Sequence, residues 1–159
     1  MNIIEQRVAN SSHRLNPAVI NAVVIHHTGQ YELSSIFNTF SNPGSWASAH
    51  CVIDYDGTIY LCVDESKKAW HAGASILHGT ADVNQFSIGI ELRGDGNLAA
   101  YPDAQIVSCT DLVADILRRR PMIPLNRIVG HEHVSPGRKT DPGKLFPWRA
   151  FLLGVARAA

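Results

Sequence analysis

The chain has 159 residues, with fourteen Lys and Arg against fourteen Asp and Glu, a length that fits one domain able to bury a core without disulfides. Its balanced charge gives no field with which to gather nucleic acid or an anionic membrane surface, and no stretch approaches the roughly 20 apolar residues that span a bilayer. Three cysteines, Cys51, Cys62 and Cys109, are odd in number and lack CxxC spacing, which argues against a disulfide framework or a four-cysteine zinc site and leaves them as small apolar core residues.

Met1 to Asn10 carries Glu5 and Arg7 early and has no apolar run. No secretory signal is read there, and a protein made in the cytoplasm is expected. Ala22 to His27 is a short apolar run closed by Thr28-Gly29, which predicts a buried strand with a polar tip. Ser34 to Phe40 sets Ile36, Phe37 and Phe40 at helical spacing, and Asn42-Pro43-Gly44 stops the helix. Ala49 to Asp54 and Thr58 to Val63 predict a hairpin, because Asp56-Gly57 supplies the positive φ of a tight turn. Asp64 to Gln85 is small and polar without periodicity, and is expected to be a long functional loop.

Phe86 to Leu92 is the next predicted strand, with Gly89 letting a neighbouring group come close. Tyr101-Pro102-Asp103 opens a helix striped by Ile106, Cys109, Val113, Ile116 and Leu117, and Pro121 ends it. Arg118-Arg119-Arg120 reads as a solvated helix end whose cations complement the dipole. Arg127 to Val129 predicts a short strand, and Trp148, Phe151, Leu152 and Val155 an amphipathic C-terminal helix. This order predicts an α/β (α+β) fold, one domain over residues 1–159 with a core of about 22–158, in which helices pack on a central mixed sheet.

The densest chemistry lies in Gly130 to Gly143, which holds two imidazoles, two carboxylates and two cations. A hydrolytic zinc site needs three protein ligands and an open position for water. His131 and Asp141 stand ten positions apart with Pro136-Gly137 between them, so both can face one ion. The strand tipped by His26-His27 is the best source of a third ligand. Successive strand side chains point to opposite faces, so one of the two enters the site, and periodicity does not say which.

Val24-Ile25-His26-His27-Thr28, Ser48-Ala49-His50, Ala69-Trp70-His71-Ala72-Gly73, Ser87-Ile88-Gly89-Ile90-Glu91, Gly130-His131 and Arg138-Lys139-Thr140-Asp141-Pro142-Gly143 together carry a resemblance. From about Val23 to Trp148 the chain resembles the zinc-dependent N-acetylmuramoyl-L-alanine amidases, the amidase-2 family, kin to phage lysozyme-type amidases and peptidoglycan recognition proteins. The resemblance implies one zinc ion per chain held by His26, His131 and Asp141. The aspartate, where some members carry cysteine, places the chain nearer the branch that includes cytosolic muropeptide-recycling amidases. The tyrosine that phage lysozyme-type members use beside the metal falls at Ala49.

Glu91 is the replacement that the aspartate branch suggests, and a partly desolvated carboxylate at a strand end suits a general base. Lys139 is the expected partner of the developing oxyanion. These roles imply hydrolysis of the amide between the lactyl group of N-acetylmuramic acid and L-alanine. Trp70, His71, Asn84 and Arg138 are the expected contacts to glycan or stem peptide. His50 is expected to make a structural or supporting hydrogen bond.

The expected partner is peptidoglycan or a muropeptide, with no nucleic acid and no membrane insertion, and a monomer is expected. Either a cytoplasmic recycling enzyme or a phage endolysin made in the cytoplasm and released to the wall fits. The rival class is a recognition module that binds peptidoglycan without cutting it. A different zinc hydrolase is disfavoured, since HExxH is absent and the balanced charge gives a nuclease little hold on phosphates.

Overall fold

The computed structural model describes residues 1–15 and 19–159. Its strands, in chain order, are β1 (Ile3–Glu5), β2 (Ser12–His13), β3 (Ala22–His27), β4 (Cys51–Ile53), β5 (Ile59–Leu61), β6 (Lys67–Lys68), β7 (Ile76–Leu77), β8 (Thr80–Ala81), β9 (Ser87–Leu92) and β10 (Ile128–Gly130). The helices are α1 (Leu33–Ser41), α2 (Asp103–Arg119), α3 (His131–Val134) and α4 (Trp148–Ala158). Six strands form the central sheet in the order β1-β5-β4-β9-β3-β10. β4, β9, β3 and β10 are mutually parallel, whereas β5 runs antiparallel to β4 across the predicted hairpin, whose Gly57 has φ 85°.

Strand periodicity sorts the sheet into two covered faces. Val23 and Ile25 of β3, Ile88, Ile90 and Leu92 of β9, and Cys51 and Ile53 of β4 pack under α2 and α4, against Cys109, Val113, Ile116, Phe151 and Val155. The predicted stripe of α2 therefore faces the sheet, and each of these aliphatic side chains contributes about 1.5–3 kcal/mol by leaving water. The opposite face is covered in two parts. Ala22 and Val24 meet Ala72, Leu77, Val83 and Phe86 of the long loop, while Ala49 and Val52 meet Ile36 and Phe40 of α1.

Some expectations needed correction. The segment 64–85 is not devoid of elements, since it holds β6, β7, β8 and a 3-10 turn at Val83–Gln85, with β6 paired to β2. Two-residue strands are too short to leave a periodic trace. β1 is an exposed edge strand beside β5, and three outward-facing residues show no alternation of burial. His131 to Val134 is one helical turn rather than open loop. At the end of α2, Arg119 and Arg120 both pair with Glu65 of the long loop, at 2.8 and 3.0 Å, so these cations anchor that loop as well as facing solvent. All three cysteines are buried and unpaired, as the composition suggested. Among the described residues no helix is long and apolar enough to cross a membrane.

Candidate active site

The choice between His26 and His27 follows from which face of β3 the helices cover. Val23 and Ile25 lie on the α2/α4 side, so His27 belongs to that side and His26 to the other, with Ala22 and Val24. On β9 the same alternation puts Ser87, Gly89 and Glu91 opposite Ile88, Ile90 and Leu92. Register then pairs Ser87 with Ala22, Gly89 with Val24 and Glu91 with His26. His26 and Glu91 are thus neighbours on one face, at the carboxyl ends of two parallel strands. His27 instead accepts a hydrogen bond from the Gly96 backbone N–H at 3.1 Å.

His131 enters from the end of β10, the parallel strand on the other side of β3. Asp141 follows a tight return of the chain. The Glu132 N–H donates to its carbonyl at 3.0 Å, and the Tyr101 hydroxyl donates to the Pro142 carbonyl at 2.6 Å. His26 Nδ1 lies 3.0 Å from His131 Nδ1 and 2.9 Å from Asp141 Oδ2, and His131 Nδ1 lies 3.0 Å from the same oxygen. All three side chains are nearly out of water, at 1, 3 and 7 % exposure.

Burial pushes the His26 pKa down to about 4, with the adjacent Asp141 carboxylate opposing and His131 acting in the same sense as burial. For Asp141, burial acts upward, but the two imidazoles of His131 and His26 set against it outweigh burial and hold the carboxyl far below its ordinary range. Both directions favour deprotonated groups. Two imidazole nitrogens and a carboxylate oxygen turned on one another at about 3 Å fit a divalent cation of borderline softness, and two nitrogens with one oxygen is a donor set that zinc accepts.

Beside the cluster runs a cleft of about 340 Å³ lined by His27, Trp70, His71, Glu91, His131, Lys139 and Asp141, with α1 on its far wall. Glu91 is half-buried, and its Oε2 is out of water with no hydrogen-bond partner among the described residues. Burial first, and then the Asp141 carboxylate, push its pKa up to about 8 against the opposing charge of Lys139. A proton acceptor poised near neutrality therefore faces the cleft beside the triad.

The four expected substrate contacts divide. Trp70 lines the cleft, with its indole N–H donating to Ser12 Oγ at 3.1 Å and its ring stacked on that of exposed Trp46. His71 also borders the cleft, but its two nitrogens are engaged by His26 and Ser87, at 3.0 and 3.1 Å. Asn84 lies outside the cleft lining and is buried. Its side-chain oxygen accepts from the His71 and Ala72 N–H groups, which shapes the loop. Arg138 borders a neighbouring hollow and donates to the Ala74 carbonyl and Ser135 Oγ, both nearer than 3 Å.

His50 is wholly buried and accepts from the Gly89 N–H at 2.9 Å, the structural role expected of it. Ser87 went unnoticed in the sequence, although the spacing 87, 89, 91 on a strand was the signal that it shares a face with Glu91.

A family model described as N-acetylmuramoyl-L-alanine amidase matches residues 16–144. The 1,6-anhydro-N-acetylmuramyl-L-alanine amidase AmpD of Haemophilus influenzae is 44 % identical over 108 residues, which cover 68 % of this chain and 58 % of that protein. The N-acetylmuramoyl-L-alanine amidase AmiD of Escherichia coli is 35 % identical over 145 residues, covering 82 % of this chain and 51 % of that one. The chain thus spans little more than half the length of these curated relatives. A crystal structure of a selenomethionine AmpD derivative superposes with a TM-score of 0.85 at 32 % identity, over 94 % of this chain and 92 % of that one. With the matched segment running through every residue of the triad and the cleft, the chain belongs to the N-acetylmuramoyl-L-alanine amidase family.

Proposed function

We propose that this protein is a zinc-dependent hydrolase of the amide joining the lactyl group of N-acetylmuramic acid to L-alanine, acting as one amidase domain over residues 1–159. The observation that carries it is the buried His26, His131 and Asp141 triad set beside Glu91 in an open cleft. His26, His131 and Asp141 would hold one zinc ion. Bound there, zinc would supply Lewis acidity toward a carbonyl and would lower the pKa of water to about 7. Glu91 takes the proton of the attacking water and returns it to the departing alanine nitrogen. Lys139 sets positive charge where the carbonyl oxygen becomes an anion. Trp70 forms an apolar wall against which glycan or peptide rests.

A soluble anhydro-muropeptide is the favoured substrate. The AmpD relative is named for 1,6-anhydro-N-acetylmuramyl-L-alanine, and a structure of AmiD in complex with anhydro-N-acetylmuramic acid-L-Ala-D-γ-Glu-L-Lys superposes on 85 % of this chain with a TM-score of 0.76 at 32 % identity. The deciding assay incubates the zinc-loaded protein with anhydro-muropeptide and, separately, with intact sacculi. Release of free anhydro-muramyl glycan and L-alanyl peptide is expected, faster from the soluble substrate. Glu91→Gln should cut turnover by roughly 10²–10⁴-fold with zinc retained. Stoichiometric zinc with no product from either substrate would mean a recognition module instead.

A further inference from the structure

Four groups between β9 and the long loop form a one-way chain of hydrogen bonds that ends on His26. The Ser87 hydroxyl, wholly buried, donates to the Val83 carbonyl at 2.6 Å. A hydroxyl has a single hydrogen, so Ser87 Oγ is left as an acceptor toward His71 Nε2 at 3.1 Å. His71 is buried with no carboxylate against it among the described residues, and a neutral imidazole carries one N–H. With that hydrogen on Nε2, His71 offers a lone pair at Nδ1. His26 Nε2, 3.0 Å away, must then be the donor. His26 Nδ1 is therefore unprotonated where it faces His131 Nδ1 and Asp141 Oδ2. With the opposite polarity, an N–H would point into the triad and exclude a cation.

The next residue does the same for the second histidine. His131 Nε2 lies 3.0 Å from the Ala72 carbonyl, which can only accept, and 3.4 Å from the Arg138 guanidinium, which already donates to that same carbonyl; with its hydrogen turned to the nearer carbonyl, neutral His131 leaves Nδ1 bare toward the triad. The pair 71–72 is itself fixed, since Asn84 Oδ1 accepts from both backbone N–H groups, at 3.2 and 2.8 Å. Room for the His71 ring comes from Gly89, where a Cβ would meet its Cγ at 2.3 Å.

We propose that His71, polarised by Ser87, is a positioning residue that locks His26 as its Nε2–H tautomer, with the Ala72 carbonyl doing likewise for His131, so that both histidines present metal-ready Nδ1 atoms. This rests on the reading of His26 and His131 as zinc ligands. Removing the acceptor at residue 71 releases His26 to rotate or to carry its proton on Nδ1. Outer partners of this kind are worth 10–100-fold in metal affinity.

The test measures zinc affinity by competition with a chromophoric chelator for wild type, Ser87→Ala, His71→Ala and His71→Asn, with thermal melts of the metal-free forms to check folding. It also reads the imidazole tautomers of metal-free wild type by long-range ¹H–¹⁵N NMR. Ser87→Ala should weaken zinc binding by about tenfold and His71→Ala by about 10–100-fold. His71→Asn should recover part of the loss, because its side-chain oxygen can accept from His26 Nε2–H. The spectra should show His26 and His71 protonated at Nε2. Folded Ser87→Ala and His71→Ala proteins that bind zinc like wild type, or a His71 proton found on Nδ1, would overturn the proposal. If His71→Ala does not fold, Ser87→Ala and the spectra still decide. Failure of wild type to bind zinc, with the tautomers as expected, would instead sink the ligand assignment and the positioning role of His71 with it.

Discussion

The Glu91 carboxyl lines the same cleft as Asp141, and its Oε2 has no hydrogen-bond partner among the described residues. Ionising it in the metal-free protein costs free energy that a bound cation would offset. With its pKa pushed up to about 8 from an ordinary value of 4.5, the folded chain keeps a proton that the unfolded chain has already released. Stability from this group therefore falls as pH rises between those values. The buried histidines act in the opposite sense. His26 and His50, pushed down by burial to about 4 and 3, contribute stability that is complete above 6.5 and is lost as pH falls below it. From pH 6.5 to 8 the histidines are neutral in both states and Glu91 sets the slope. We expect the melting temperature of the metal-free protein to decline across that window and Glu91→Gln to flatten it. A flat wild-type profile would show that Glu91 is not held protonated.

At the scale of elements, the site depends on how β3 and β9 lie side by side. Gly89, the register partner of Val24, leaves the gap that the His71 ring fills. Gly89→Ala drives a methyl into that ring, and overpacking of this kind costs about 1–3 kcal/mol. The displaced ring would also lose its hold on His26, so zinc affinity should fall together with the melting temperature. A destabilised Gly89→Ala protein with unchanged zinc affinity would separate packing from metal positioning. The same pair of strands shows what a sequence can disclose. β3, β9, α2 and α4 were visible because each is long enough for its apolar period to show, and Gly89 was readable as a place of close approach. The choice of His26 over His27 was not readable from period alone, because alternation fixes only that they differ. It becomes determinate once α2 and α4 are known to cover Val23 and Ile25. The hold of Asn84 on its own loop was not readable, because a polar loop residue looks free until its loop folds back on it, and β6 to β8 are too short to carry a pattern.

Over the whole molecule, a metal held by the triad would couple to stability. Its members come from the end of β3, the start of α3 and the return loop after it, so the three meet only when the sheet is assembled. A ligand that binds the folded state alone stabilises it by about 4 kcal/mol at a free concentration 1,000-fold above its Kd. Thermal melts with excess zinc and with a chelator should therefore differ by many degrees, the chelated form melting first. Coincident melts would count against the triad as a metal site.

His26 and Asp141 are separated by 115 positions along the chain yet touch at 2.9 Å. An ion joining them closes most of the polypeptide into a ring with two short tails. A ring has fewer ways to be unfolded than an open chain, and by analogy with a covalent cross-link over a loop of about 100 residues the loss of that freedom is worth roughly 5 kcal/mol. In polymer terms a metal held there would be a clasp on a loop, keeping the chain closed.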